Sequence, residues 1–437
     1  MADLKQLARQ IFQETLAAID IPAAIERKLP REGSLLHCDD ALIDLHAFTK
    51  FRVVSIGKAA HAMLEGLRSL LPREIAFDGI ACAPTPPSQP IQGIEYFAGG
   101  HPIPNQQSLE AAKAILALLS DCDQKTLVFF LLSGGGSALV ELPLLSGLTL
   151  DDVQQFYRVL VTCGAPIGEM NAVRKHVSAV KGGRLADAAA RATKITLAVT
   201  DVPTDQESAL ASGPTLPDPT TIADVRKIVV EFGMHEKLPT ALRKWIEAGE
   251  MPETPKPGDT AFVNAHFLLL LGMDDLFHPA HHASEAKGFF TVCDNTTDDW
   301  PVQQAAEYLL AQLDALRSAN PGRRVALIAD GEVSSPVTGN GIGGRNSAFV
   351  LVCVENIVAR RVAVLSAGTD GIDGNSPAAG AVADGETLAR AMAAGLSPAD
   401  AFQRCDAYNF FAQLGDAIVT GPTGNNLRDL RILLAEP

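Results

Sequence analysis

Leu4, Leu7, Ile11, Leu16 and Ile19 recur at roughly helical spacing, which predicts an amphipathic helix over 3–19. Asp20-Ile21-Pro22 interrupts it, and a second short helix is expected from Pro22 to Leu29, stopped by Pro30. The pattern then changes to short apolar runs that close on glycine or a polar residue. Phe51 to Gly57, Gly79 to Cys82, Ile94 to Phe97, Thr126 to Phe130 and Ile195 to Thr200 read as strands. Helical stretches fall between them, at about 108–119, 150–161 and 170–180. Strand–helix alternation of this kind predicts a mainly parallel sheet covered by helices, with right-handed crossovers. The alternation resumes later, with helices at 300–316 and 346–358 and strands at 324–329 and 361–365. Gly249 to Gly258, broken by Pro252, Pro255 and Pro257, reads as a boundary. The expectation is two α/β domains, 1–248 and 259–437, the first Rossmann-like.

Ligands of such sheets bind beyond the carboxyl ends of the strands. Leu132-Ser133-Gly134-Gly135-Gly136-Ser137-Ala138 sits at one such end. Three consecutive glycines let backbone N–H groups converge, and serines on both sides add hydroxyls. The stretch reads as an anion cradle for phosphate or carboxylate, or as a tight turn that relieves strand–helix crowding. Lys58 and Asp201 end two other predicted strands, so the three sites fall at the same edge of the sheet. Lys58 lacks the glycines of a P-loop around it. Asp201 and Asp205 suit a proton acceptor or a Mg²⁺ ligand, or equally the cap of a helix.

Gly339-Asn340-Gly341-Ile342-Gly343-Gly344 satisfies G-x-G-x-x-G formally. The expected strand does not lead directly into it, and the next acid, Glu355, is too close for a dinucleotide fingerprint. Arg345 at its exit suits phosphoryl oxygens better. Asp330-Gly331-Glu332 and Thr369-Asp370-Gly371 again place acids among glycines after strands. His278, His281 and His282 cluster without a third ligand type and read as a loop.

Composition narrows the field of partners. The 437 residues carry a net charge of −15, which argues against nucleic acid or an anionic membrane. The seven cysteines show no paired short spacing, which suggests free thiols and a reducing, cytoplasmic setting. No apolar run approaches the length of a membrane span, and no signal core opens the chain.

Taken together, Ser55-Ile56-Gly57-Lys58-Ala59, Gly100-His101-Pro102, the glycine loop at 132–138, Asn171-Ala172-Val173-Arg174-Lys175-His176 and Asp201-Val202-Pro203 resemble the class II glycerate 2-kinases. The resemblance continues through Ser212-Gly213-Pro214-Thr215, Gly343-Gly344-Arg345-Asn346, Gly368 to Gly374 and Val419 to Gly424, into the C-terminal MOFRL domain of that family. It implies transfer of the ATP γ-phosphoryl group to D-glycerate with Mg²⁺, giving 2-phosphoglycerate, in an interdomain cleft. The lysine and arginine implicated in the family fall on Lys58 and Arg345, and Asp201, placed after its strand, is the candidate catalytic acid beside them. The implied substrate and phosphate contacts are Ser133, Gly134, Gly135, Gly136, Ser137, Gly343, Gly344, Asn346, Thr369 and Asp370. Among Asp201, Asp205 and Glu332, one or two acids are expected to hold Mg²⁺ or accept the hydroxyl proton, with Asp205 and Glu332 the candidate metal ligands, and a homodimer is possible. Some relatives carry the name hydroxypyruvate reductase, so NAD(P)H-dependent reduction is the alternative activity, and a non-catalytic sugar-acid binder is a third reading. This chain departs from the family at Asp330, where glycine is usual, at Ser347-Ala348, where a glutamate is common nearby, and at Asn425-Asn426, where Thr-Asn is common.

Overall fold

The apolar run at 126–132 folds as a strand buried along its whole length, paired in parallel on both sides. The computed structural model that shows this describes residues 3–200, 207–272, 274–425 and 427–437. The chain divides into two compact units, Ile21–Gly272 and the combination of Met1–Asp20 with Met273–Pro437.

The first unit opens with the helix Ile21–Lys28, followed by a small antiparallel sheet of β1 (Arg31–Glu32), β2 (Leu35–Cys38) and β3 (Ala41–Asp44). Its main sheet comprises β4 (Lys50–Ile56), β5 (Asp78–Ala83), β6 (Ile94–Ala98), β7 (Thr126–Leu132), β8 (Thr193–Val199) and β9 (Ala265–Leu271). Their spatial order is β6-β5-β4-β7-β8-β9, and every neighbouring pair is parallel. The chain steps outward from β4 to one edge, returns beside β4 as β7, and steps outward to the other edge. That reversal creates a switch point beyond the carboxyl ends of β4 and β7, where sheets of this kind bind ligands.

The second unit holds β10 (Phe290–Asp294), β11 (Val325–Asp330), β12 (Val362–Gly368), β13 (Gly380–Asp384), β14 (Ala417–Ile418) and β15 (Asp429–Ala435). Their order is β10-β11-β15-β12-β13-β14. Only β10 and β11 run parallel; β15 lies antiparallel between β11 and β12, and β13 and β14 continue antiparallel. β15 is buried along its length, so it shows no alternation and no flanking helix by which a sequence pattern reveals it.

The units differ from the expected division of the chain in two places. The proline stretch at 249–258 lies inside the first unit, because the apolar run after it forms β9 and pairs with β8. The opening helix, Leu4–Ala18, packs on β12 and β15 of the other unit, burying Ala8, Ile11 and Phe12. Prolines mark irregular chain; they do not decide which core the next apolar segment joins.

At the switch point Gly57 has φ +130°, and a Cβ there would lie 2.1 Å from Ser133 Oγ and 2.5 Å from the Ser133 carbonyl oxygen. Gly57→Ala combines a strained backbone with a collision against a fixed neighbouring loop. The expected loss is at least about 2 kcal/mol of stability. An unchanged urea midpoint would contradict this account of the seam.

Candidate functional site

Two loops meet at the switch point of the first unit. Ser133 N donates to Ile56 O at 2.9 Å, Lys58 N donates to Gly134 O at 3.0 Å, and Ser133 Oγ accepts from Ala59 N at 3.0 Å. Ser133 is fully buried, so its hydroxyl stitches the two loops together. Gly135 lies beneath Lys58 and His101: a Cβ on it would be 3.6 Å from Lys58 Cγ and 3.2 Å from His101 Cδ2. Among the described residues, the amides of Gly134, Gly135 and Gly136 have no hydrogen-bond acceptor. Open amides at a strand-to-helix turn are what an anion requires.

The loop at 339–344 is built differently. Gly343 N donates to Asn375 Oδ1 at 2.9 Å and Gly344 N to Ser347 Oγ at 3.2 Å. Asp373 receives Asn346 N at 2.9 Å, Ser347 N at 2.8 Å and Ser347 Oγ at 2.6 Å. A side-chain carboxylate therefore occupies the N-terminus of the Arg345–Asn356 helix, and the amides expected to converge on a phosphate are already satisfied. Asn346 is buried and accepts from Ser366 Oγ at 2.6 Å. Thr369 Oγ1 accepts from the amides of Leu427 and Arg428 at 3.0 and 3.1 Å, and Asp370 Oδ1 from Ile372 N at 3.0 Å. Gly343, Gly344, Asn346 and Thr369 thus shape the site, while the exposed chemistry falls to Arg345.

Arg345 lies between two carboxylates. Its Nε donates to Asp429 Oδ2 at 2.5 Å and its Nη1 to Glu332 Oε2 at 2.7 Å, with Nη2 at 2.5 Å from Glu332 Oε1. Burial opposes the charge on Arg345, but Asp429 and Glu332 outweigh it and hold the guanidinium firmly protonated. Asp429 is almost wholly buried; burial would push its carboxyl up, yet Arg345 holds it below the usual range. Behind them, Arg428 pairs with Asp298 and reaches Asp330 Oδ2 at 3.5 Å. Arg431, fully buried, donates to the carbonyls of Asp330 and Gly331 at 3.0 and 2.7 Å.

A family model described as a domain of unknown function, DUF4147, matches residues 7–247, and the MOFRL family model matches residues 325–429. The D-glycerate 2-kinase of Thermotoga maritima is 32% identical over 434 residues, with 98% of each chain covered. The chain belongs to the class II glycerate kinase family, with its C-terminal MOFRL domain. The glycerate 2-kinase of Pyrococcus horikoshii is 30% identical, covering 99% of this chain and 97% of that one. A relative from Agrobacterium vitis, 34% identical over 98% of this chain and 94% of its own, bears the name "Putative hydroxypyruvate reductase". The crystal structure of the Thermotoga maritima glycerate kinase aligns with a TM-score of 0.82 at 32% identity, covering 99% of each chain.

The protein is a kinase of this family, and the expected site residues are distributed as follows. Lys58 and Ser133 to Ser137 come together at the switch point. Arg345, Glu332 and, close to them, Asp429 come together at the ends of β11 and β15. Asp201 and Asp205 lie outside the described residues. Glu332, the candidate metal ligand, has both its oxygens engaged by Arg345. Among the described residues no three His, Cys, Asp or Glu side chains are grouped to hold a metal ion. No helix among them is long and apolar enough to cross a membrane. Sequence reasoning missed Asp429, Asp373 and Arg428. Asp373 was visible within the Gly368–Gly374 stretch, but Asp429 belongs to a strand that left no pattern.

Asp330, the departure from the family's glycine, is buried with Oδ1 unbonded. Burial pushes its carboxyl up, and Arg428 offsets only part of this. A carboxyl raised in the folded state opposes folding once pH exceeds its unfolded value of about 3.9. Asp330→Asn should therefore stabilise the kinase at neutral pH, by on the order of 1 kcal/mol, with the gain vanishing below about pH 4. Thermal denaturation across pH checks it; a variant less stable at pH 7 would show that the Arg428 contact outweighs burial.

Proposed function

We propose that this protein transfers the γ-phosphoryl group of ATP to D-glycerate, giving 2-phosphoglycerate. The observation that carries the proposal is the set of open amides at Gly134, Gly135 and Gly136 beside Lys58, at the switch point of a parallel sheet. Family membership supplies the reaction class, and the loop supplies a place for an anionic group. Phosphoryl transfer needs positioning and charge stabilisation more than covalent chemistry from the protein. In this reading Lys58 stabilises charge in the unit that carries the loop. Arg345, fixed in orientation by Glu332 and Asp429, is the corresponding group in the other unit. In this reading Asp201 is the candidate proton acceptor, and Asp205 would hold Mg²⁺, which would offset charge on the transferred phosphoryl group.

Reduction of hydroxypyruvate is the second reading, favoured by the name of the Agrobacterium vitis relative. The glycines at 339 and 341 speak against a dinucleotide there. A Cβ on either would lie about as close as 2.4 or 2.5 Å to Arg404 O, so both face the backbone of a neighbouring loop.

Incubation with MgATP and D-glycerate, followed by phosphorus NMR, should yield 2-phosphoglycerate. NADH with hydroxypyruvate should leave the absorbance unchanged. Arg345→Ala should lower kcat/KM by roughly 100-fold or more, the usual cost of losing a charge-stabilising donor. Near-normal turnover in that variant would remove Arg345 from the mechanism. Oxidation of NADH without phosphoryl transfer would overturn the kinase reading for this chain.

A further inference from the structure

Ser137, the last residue of the opening glycine loop, is held by a chain of side chains whose proton order is fully determined. Its Oγ lies 2.8 Å from Ser212 Oγ. Ser212 Oγ lies 3.0 Å from Asn171 Oδ1, and Arg174 Nη1 lies 3.1 Å from the same oxygen. Asn171, Arg174 and Ser212 are all more than nine-tenths buried. A guanidinium can only donate, so the atom of Asn171 facing it must be the carbonyl oxygen. That oxygen can only accept, so Ser212 spends its single proton on it. Ser212 Oγ can then only accept from Ser137, so Ser137 spends its own proton inward. Outward, Ser137 Oγ presents lone pairs and no proton.

The main chain of the same residue is fixed from the other side. Tyr157 Oη lies 2.6 Å from Ser137 O and 2.5 Å from Glu141 Oε2, so its single proton is shared between them, and Lys181 Nζ donates to Glu141 Oε2 at 2.8 Å and Val140 O at 2.9 Å beside it. The Arg174 guanidinium lies over the Tyr157 ring, 5.5 Å from its centre. Ser137 is thus gripped by hydroxyl and carbonyl together, which leaves its Oγ little freedom to turn.

An oxygen of this polarity repels anionic oxygens and selects a donor. We infer that Ser137 accepts a hydrogen bond from a hydroxyl of the acceptor substrate and so discriminates for it, rather than helping to hold an anion. The hydroxyl is the one that does not react. A reacting hydroxyl must surrender its proton, and the chain behind Ser137 ends on an amide oxygen already bonded to a cation, which offers no place for that proton. The inference rests on the D-glycerate reading, in which the 2-hydroxyl reacts and the 3-hydroxyl remains to be recognised. Sites built to bond a substrate hydroxyl reject the analogue lacking it strongly, because the buried partner is left unpaired.

The test compares phosphorylation of D-glycerate and D-lactate, which lacks the 3-hydroxyl, by the full-length enzyme with MgATP. The unmodified enzyme should prefer glycerate by at least about 100-fold in kcat/KM. In Ser137→Ala the preference should fall to within about tenfold, almost entirely through loss on glycerate. Asn171→Asp, which keeps an acceptor facing both Arg174 and Ser212, should retain most of the preference, whereas Asn171→Leu should lose it. An equal loss on both substrates in Ser137→Ala would mean that Ser137 serves the carboxylate, the phosphoryl group or the metal common to both reactions, and would overturn the inference alone. Failure of the unmodified enzyme to phosphorylate D-glycerate would remove the substrate reading and this inference with it.

Discussion

Nothing larger than a hydrogen atom fits between Gly57 and Ser133, where the carboxyl ends of β4 and β7 come together. That closeness lets Ser133 Oγ accept the Ala59 amide and Gly134 O accept the Lys58 amide. The two loops behave as one rigid edge as a result. With their amides facing each other satisfied, those of Gly134 to Gly136 are left for a ligand. The parallel sheet positions the edge, and the absence of a side chain at Gly57 allows it to close.

The two glycine-rich loops show how similar sequences reach different ends. Both lie between a strand and a helix, the first directly after β7 and the second well beyond the end of β11. At 343–347 the protein supplies its own anion: Asp373 takes the amides of Asn346 and Ser347, and Asn375 takes that of Gly343. At 134–136 no side chain among the described residues does so. The difference lies in residues far along the chain, so glycine content alone does not distinguish a cradle from a capped turn. The Ser347 departure acquires a reason here, since its hydroxyl bonds Asp373 and helps to close the second loop.

Much of the first unit was legible because its strands are short apolar runs bounded by glycine and separated by helices. Lys58, the loop at 133–137 and the parallel run of the strands follow from that pattern. The second unit was read less well for a physical reason. β15 runs back between β11 and β12, so neighbours in space are distant in sequence, and its buried residues lack any periodicity. Arg345 stood out from its glycines, but its partner Asp429 begins that unmarked strand. The proline stretch at 249–258 misled in a complementary way: it marks irregular chain within a unit, and β9 beyond it still completes the first sheet.

The overall charge of −15 and an anionic substrate stand in apparent conflict. Long-range potential at this charge opposes the approach of ATP or a sugar acid and is screened beyond about 10 Å at moderate salt. Binding must then depend on charges close to the ligand and shielded from water. Arg174 and Lys181 are buried, and Glu141 is the buried carboxylate that pairs with Lys181. Burial lowers the pKa of Lys181, while its contact with Glu141 supports the charge. No carboxylate pairs with Arg174 among the described residues, and its Nε is unbonded. Arg174 is held by the neutral Asn171 Oδ1, and Glu141 is the carboxylate of its cluster. The same cation fixes the proton order through Asn171 and Ser212. The backbone amides and the Ser137 oxygen thereby suit, in turn, an anionic group and a neutral hydroxyl, the two groups that a hydroxy acid presents together.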